Sequence, residues 1–102
     1  AAFLLGRAAK RQARWEEAAS CFQEAARGGG RLFEALTELA KVAEHHLRDE
    51  DRALEATERG LALLRELRPH MDRLEAAHRQ QDLLHRRDRL VRKKGKRASV
   101  LE

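Results

Sequence analysis

The densest group of potentially reactive side chains lies between residues 44 and 49. Glu44, His45, Arg48 and Asp49 place acidic and basic groups four residues apart. On a helix, Glu44 can then reach Arg48, and His45 can reach Asp49. General acid–base catalysis would also need a cleft and a nucleophile beside these groups. We therefore expect a polar clasp that joins the third and fourth helices, and no catalytic residue.

A metal-binding pattern occurs farther along the chain, but its spacing is unfavourable. His78, Asp82 and His85 lie at positions i, i+4 and i+7 of one helix face. Two imidazoles and a carboxylate are a ligand set for zinc. The two histidines are two turns apart, however, which is roughly 10 Å, whereas ligand bonds to zinc measure about 2.1 Å. We predict no metal site and no cofactor.

Two further motifs favour structural roles. The glycines at 28–30, flanked by Arg27 and Arg31, lack the Lys-Ser/Thr pair and the preceding strand of a phosphate-binding loop. We expect a turn between helices there. Cys21 lies beside Phe22 on an apolar stripe, with no His or second Cys close in sequence, which is typical of a small core residue.

Composition assigns these groups to one small, strongly charged domain. The 102 residues are 42% hydrophobic and 38% charged, with a mean hydropathy of −0.73. A chain of this length forms one domain, and no apolar run approaches the roughly 18 residues of a membrane span. A single Cys excludes an internal disulfide. With no secretory signal pattern, we expect a reducing cytoplasm.

The two ends of the chain indicate an excised piece of a longer protein. The chain begins at Ala1 without Met and ends in Leu101-Glu102, a dipeptide commonly left beside a C-terminal affinity tag. If that is so, a lack of catalytic residues within these positions says nothing about the parent protein.

Apolar residues spaced by three and four predict five helices. We place them at about 1–12, 13–27, 32–47, 50–67 and 70–94. The glycines end the second helix, Asp49 and its acidic neighbours begin the fourth, and Pro69 ends it. We expect Leu5 on the apolar face of the first helix, and Phe22 and Leu39 in the core. The ring of Trp15 should cover the adjoining turn.

Small and large residues recur after 34 or 35 positions. The aligned pairs are Leu5 with Leu39, Gly6 with Ala40, Ala9 with Ala43, Ala18 with Ala53, Phe22 with Thr57 and Ala25 with Gly60. This pattern resembles the tetratricopeptide repeat. We therefore predict an all-α fold with two tetratricopeptide-like antiparallel helical hairpins (1–67), a long C-terminal capping helix (68–95), and a basic tail with a tag remnant (96–102).

A second resemblance rests on two separate strings of residues. The first is Leu39-Ala40-Lys41-x-x-Glu44-His45-x-x-Arg48-Asp49-x-x-x-Ala53-Leu54-x-x-Thr57-x-x-x-Leu61, and the second is Asp82-Leu83-x-His85-Arg86-x-x-Arg89-Leu90-x-x-Lys93. Together they look like the helical C-terminal region of bacterial predicted exonucleases with an RNase-H-like domain. The resemblance implies a nuclease-type parent whose nuclease domain precedes this chain. None of that domain's metal-binding residues has a counterpart here.

The tetratricopeptide resemblance also implies a binding groove, because the first helix of each hairpin in that family lines a concave surface. The residues placed on or near it are Phe3, Arg7, Lys10, Arg11, Thr37, Lys41, Glu44 and His45. Among them, Arg7, Lys10 and Lys41 can hold the carboxylates of a partner. We expect a non-enzymatic module that binds a protein partner or docks onto its own parent domain.

Two alternatives arise from the C-terminal helix. Residues 86–102 carry eight Lys and Arg against two acidic residues, whereas residues 1–85 are nearly neutral. The basic set that predicts nucleic-acid binding is Arg86, Arg87, Arg89, Arg92, Lys93, Lys94, Lys96 and Arg97. The set that predicts homodimerisation by alternating steps of three and four is Leu74, Ala77, Gln81, Leu84, Asp88 and Val91. The sequence does not decide the oligomeric state.

Overall fold

The structure, a computed structural model, describes residues 1–28 and 31–101, with side chains as far as Lys96. Across these residues it contains five α-helices and no strand. They are α1 (Ala2–Arg11), α2 (Trp15–Ala25), α3 (Leu32–His45), α4 (Glu50–Leu67) and α5 (Arg73–Leu101), with a 3-10 turn at Arg68–His70. The predicted all-α class is confirmed. None of the described helices combines the length and the apolar character needed to cross a bilayer.

Local signals set most helix ends close to the predicted positions. The side chain of Asp49 accepts a hydrogen bond from the Arg52 N–H at 3.1 Å and so caps the start of α4. After the turn at Pro69, Asp72 accepts from the Glu75 N–H at 3.0 Å, which starts α5 three residues later than expected.

The far end of α5 differs from the prediction. The helix was expected to stop near residue 94, with a tail beyond it, but it continues through Gly95 to Leu101. A single glycine costs a helix only about 1 kcal/mol relative to alanine, and the Lys and Arg residues around Gly95 are good helix formers. Glu102 lies outside the described residues, as do Gly29 and Gly30 of the predicted turn.

Each helix packs against its neighbours in sequence. Shared hydrophobic clusters bring opposite helix ends together and so give their antiparallel order. Ala2 packs against the cluster of Ala25 for α1 and α2, Phe33 packs against the cluster of Leu64 for α3 and α4, and Ala53 and Leu90 share a cluster for α4 and α5. The molecule measures 45 × 31 × 19 Å. Its smallest dimension is close to two helix diameters of about 10 Å, so we describe the molecule as a thin slab.

Phe22 fills the space between the first two helices. A Cβ built on Gly6 would lie 2.7 Å from the Phe22 ring, so only glycine allows α1 this close to α2. Phe22 and Leu39 belong to one buried cluster, which confirms both as core residues. Leu5 was expected on the apolar face of α1, but its side chain is 62% exposed. One residue turns a helix by about 100°, and Gly6 and Ala9 occupy the side that faces α2.

The second pair of helices uses different residues at the corresponding positions. Thr57 is buried, and its hydroxyl donates to the Ala53 carbonyl at 2.8 Å, which satisfies its polar atom inside the helix. Gly60 lets Leu83 of α5 approach to 3.4 Å from where a Cβ would stand. Leu83 and the fully buried Leu90 therefore hold α5 against α4.

The connections after α1 and after α3 share an unusual backbone geometry. Ala13 has φ 58° and Arg48 has φ 54°, and these are the residues other than glycine with positive φ in the described part of the chain. They are 35 positions apart. Trp15, just after the first connection, stacks on His46 beside the second, with ring centroids 3.5 Å apart and planes 6° from parallel. Its ring thus covers the turn after α3.

Cys21, on α2, is half-buried.

Candidate functional site

Glu44, in the last turn of α3, is a carboxylate buried among cations of α5. Its residue exposure is 3%. Arg89 donates from Nε to Oε2 at 2.6 Å and from Nη2 to Oε1 at 2.8 Å. Arg86 Nη1 donates to Oε1 at 2.9 Å, and Lys93 Nζ donates to Oε2 at 2.9 Å. Each carboxylate oxygen therefore accepts two charge-assisted hydrogen bonds, and the pair with Arg89 is bidentate.

This environment keeps Glu44 ionised. Burial alone would raise the pKa of its carboxyl, but the hydrogen bonds from Arg89 and Lys93, together with their positive charges, lower that pKa to about 2. The same contact raises the pKa of the Arg89 guanidinium. Three cations around one anion leave the neighbourhood with a net positive charge.

His45 lies beside this cluster on the exposed surface. Its Nε2 atom is 3.6 Å from Glu44 Oε1. Partial burial lowers the pKa of His45, and the nearby cations Arg86, Lys93 and Arg89 lower it further against the opposite effect of Glu44. The surroundings of His45 thus favour its neutral imidazole.

The hydrogen bonds to Glu44 come from α5, whereas the predicted clasp joined α3 to α4. Arg86, Arg89 and Lys93 follow one another by three and four residues and so share one face of α5. They are 42–49 positions from Glu44, a separation that no local spacing rule covers. One signal was available: Glu44 stands four residues after Ala40, on the buried stripe of α3.

The basic residues predicted for nucleic-acid binding have divided roles in the structure. Beyond the three that surround Glu44, Lys94 Nζ lies 2.5 Å from Asp51 Oδ1, and Arg92 Nε donates to the Asp88 carbonyl at 3.4 Å. Arg87 faces the opposite flank of α5. Lys96 is exposed, and the side chain of Arg97 lies outside the described residues. Carboxylates thus engage four of the six cations at 86–94 in the predicted set.

Two of the predicted groove residues, Lys10 of α1 and Lys41 of α3, meet at one carboxylate. Lys10 and Lys41 approach Glu38 at 2.6 and 3.7 Å, which ties α1 to α3. Arg7 and Arg11 are exposed on α1, outside these ion pairs. The structure therefore brings together Lys10 and Lys41, and places Glu44 and His45 at the end of the same helix face.

A groove of about 360 Å³ lies between α3 and α5. Its lining residues are Phe33, Thr37 and Lys41 from α3, and Arg79, Asp82, Leu83, His85, Arg86 and Arg89 from α5. Sequence reasoning missed Phe33 and Arg79, whose guanidinium lies 4.6 Å from the centre of the Phe33 ring. Four cations and one carboxylate, that of Asp82, line the groove. Such a surface attracts anionic groups.

The metal-binding pattern remains dispersed. His78 Nε2 is 3.5 Å from Asp82 Oδ2, and both side chains are exposed, while His85 lines the groove. Among the residues whose side chains are described, no three His, Cys, Asp or Glu groups are placed to hold one metal ion.

Comparison with protein-family models, curated proteins and solved structures finds no match to this chain.

Proposed function

We propose that the chain is a non-enzymatic module that binds an acidic segment, of a protein partner or of its own parent protein, in the groove between α3 and α5. The observation that supports this function is the lining of that groove, where Lys41, Arg79, Arg86 and Arg89 outnumber the one lining carboxylate, that of Asp82. Each of these cations also pairs with a glutamate outside the lining: Glu38, Glu75 or Glu44. Arginine and aromatic side chains are enriched at the centres of protein interfaces, and Phe33 lies under Arg79.

The architecture that we propose for this module is two tetratricopeptide-like hairpins closed by α5. Three observations support it. The helices follow one another in antiparallel order, and the smallest dimension of the molecule is close to two helix diameters. Ala13 and Arg48, both with left-handed backbone angles, lie 35 positions apart in the turns after α1 and α3. The aligned sequence pairs recur after 34 or 35 positions. In this arrangement α1, α3 and α5 lie on the side of the groove.

We also propose that the module belongs to a nuclease-type parent. The two strings of residues that carry the resemblance to bacterial predicted exonucleases are far apart in sequence. Glu44 of the first string accepts hydrogen bonds from Arg86, Arg89 and Lys93 of the second. The residues of both strings are therefore needed for one contact, the docking of α5 on α3. The module itself would bind and position, while another part of the parent would supply the chemistry.

A peptide-binding experiment tests the groove. A fluorescein-labelled peptide rich in Asp and Glu should bind, and the Arg79→Gln variant should weaken its binding about tenfold, since a hydrogen bond to a charged group contributes about 1.5–3 kcal/mol. Arg59→Gln, which removes an exposed charge from α4 outside the groove, is the matched control. Fluorescence anisotropy measures both. Equal losses in the two variants, or no binding to the parent chain, would refute the groove.

Self-association through α5 is a second candidate, favoured by its exposed apolar residues. Leu74 is 81% exposed and Val91 is 52% exposed, and both belong to the predicted seam. Sedimentation equilibrium would detect a dimer, which Leu74→Ser together with Val91→Ser should dissociate. Nucleic-acid binding by α5 would use Arg86 and Arg89 as well, and Glu44 and Asp51 engage four of the α5 cations.

A further inference from the structure

Four arginines surround two adjoining clefts on the flank of α5 opposite the Glu44 cluster. Arg65 and Arg68, at the end of α4, line both clefts. The smaller cleft, of about 140 Å³, is completed by Arg87 and Gln80 from α5. The larger, of about 440 Å³, is completed by Arg73 at the start of α5. We call Arg65, Arg68, Arg73 and Arg87 the arginine cluster.

The four residues of the arginine cluster lack the acidic partners that the cations around Glu44 have. Within the part of the chain whose side chains are described, no carboxylate lines either cleft. The same range gives none of the four guanidiniums an ion pair or a hydrogen bond. The cations of the opposite flank differ in this respect, since Arg86, Arg89 and Lys93 share the carboxylate of Glu44.

Helix stability does not explain this concentration of positive charge. Arg65 and Arg68 are favourable beside the negative C-terminal end of α4. Arg73, however, is the first residue of α5, where the helix dipole disfavours a cation. Arg87 lies in the middle of α5, away from both ends. The like charges that line each cleft repel one another, and an anion bound between them would offset this repulsion.

We propose that the arginine cluster binds the polyphosphate chain of a small ligand, with one phosphate in each cleft. The planar fork of arginine donates two parallel hydrogen bonds to a phosphate group, and the Gln80 side chain can donate another. The volume of the smaller cleft is below the roughly 300–1,000 Å³ that is typical of sites for whole organic ligands. It therefore accepts a single anionic group. Leu61, Leu64 and Leu84 wall it on the other sides, which strengthens charge interactions there.

The larger cleft distinguishes two sources of the same polyphosphate chemistry. Beside Arg73 it is lined by Pro69, Met71 and Ala76, and its volume admits an organic group as well as a phosphate. A nucleoside triphosphate could place its nucleoside against these apolar residues, whereas inorganic polyphosphate would use the arginines alone.

Isothermal titration calorimetry of the full chain tests the proposal. Inorganic tripolyphosphate should bind, and Arg68→Gln and Arg87→Gln should each weaken binding about tenfold. Arg59→Gln removes the same charge from an exposed position of α4 that lines neither cleft, and it should leave the affinity unchanged. Circular dichroism of each variant confirms that the helices remain.

A nucleoside triphosphate measured beside tripolyphosphate identifies the source. Tighter binding of the nucleotide assigns the larger cleft to the nucleoside, and equal affinity assigns the site to inorganic polyphosphate. The proposal is overturned if neither ligand binds, or if Arg59→Gln weakens binding as much as Arg68→Gln. It is overturned equally if a twelve-residue oligonucleotide binds in an Arg68-dependent way while tripolyphosphate does not.

Discussion

Glu44 anchors α5 to α3 through hydrogen bonds from three cations. Glu44→Gln removes the charge that Arg86, Arg89 and Lys93 share, and we expect it to lower the free energy of unfolding by about 3 kcal/mol. The three cations are partly exposed, so water compensates part of the loss. Urea denaturation measures the change. Lys94→Gln removes an exposed ion pair to Asp51 and should change the stability little. Equal effects of the two substitutions would contradict the anchoring role.

The pKa of Glu44 also predicts how stability depends on pH. The folded carboxyl has a pKa of about 2, below its ordinary value of 4.5. A lowered pKa stabilises the folded state above the ordinary value, and that contribution is lost as the pH falls from about 4.5 towards 2. It amounts to about 3 kcal/mol.

Comparison with Glu44→Gln isolates this contribution from those of the other carboxylates. The difference in unfolding free energy between the parent chain and the variant should be largest above pH 5 and should shrink as the pH approaches 2. Urea titrations at a series of pH values follow it. A difference that stays constant down to pH 2 would show that the carboxylate is not selectively stabilised by folding.

At the scale of the helices, the turn after α1 stores a small conformational cost. Ala13 has φ 58°, a region that costs roughly 1–2 kcal/mol for a residue with a Cβ. Glycine removes that cost but also loosens the unfolded chain, so Ala13→Gly should stabilise the protein by about 0.5–1 kcal/mol. Ala62→Gly, at an exposed position inside α4, should destabilise it by about 1 kcal/mol. Thermal denaturation distinguishes the two signs.

The helices were predictable because their signals are local. The Asp49 cap, Pro69 and the apolar spacing act within a few residues of the ends they define, and α4 was placed at its observed bounds, Glu50–Leu67. Which side of a helix is buried was harder to predict. The spacing of apolar residues could not show whether Leu5 or Gly6 faces α2. In the structure Gly6 faces it, because the Phe22 ring leaves no room for a side chain there.

The candidate sites were less predictable, because they join residues that are distant in sequence. Lys41 was assigned to a groove from the repeat alone, but the residues that line the other side of the groove, including Arg79, come from α5. The arginine cluster likewise joins Arg65 and Arg68 to Arg87 across the turn at Pro69. Charge counting placed the basic character at the C-terminus and could not show which cations have acidic partners.

At the scale of the whole molecule, a thin slab has few fully buried large side chains, so each one matters. Phe22 packs in the cluster that joins α1, α2, α3 and α4, and Phe22→Ala should cost about 3–5 kcal/mol. Leu5→Ala, at an exposed position of α1, should change stability little. Chemical denaturation compares them. A loss below about 1 kcal/mol for Phe22→Ala, far under the usual range, would contradict the packing of α1 on α2.

The neighbour-to-neighbour packing of the helices has a kinetic consequence. Contacts between adjacent segments close short loops, and helical proteins of low contact order fold within microseconds to milliseconds. We expect refolding on that timescale in stopped-flow or temperature-jump experiments. The hydrogen bonds to Glu44 span 42–49 residues and should form after the rate-limiting step. Glu44→Gln would then speed unfolding while leaving the refolding rate nearly unchanged. In that case α5 docks on α3 only after the other helices have packed together.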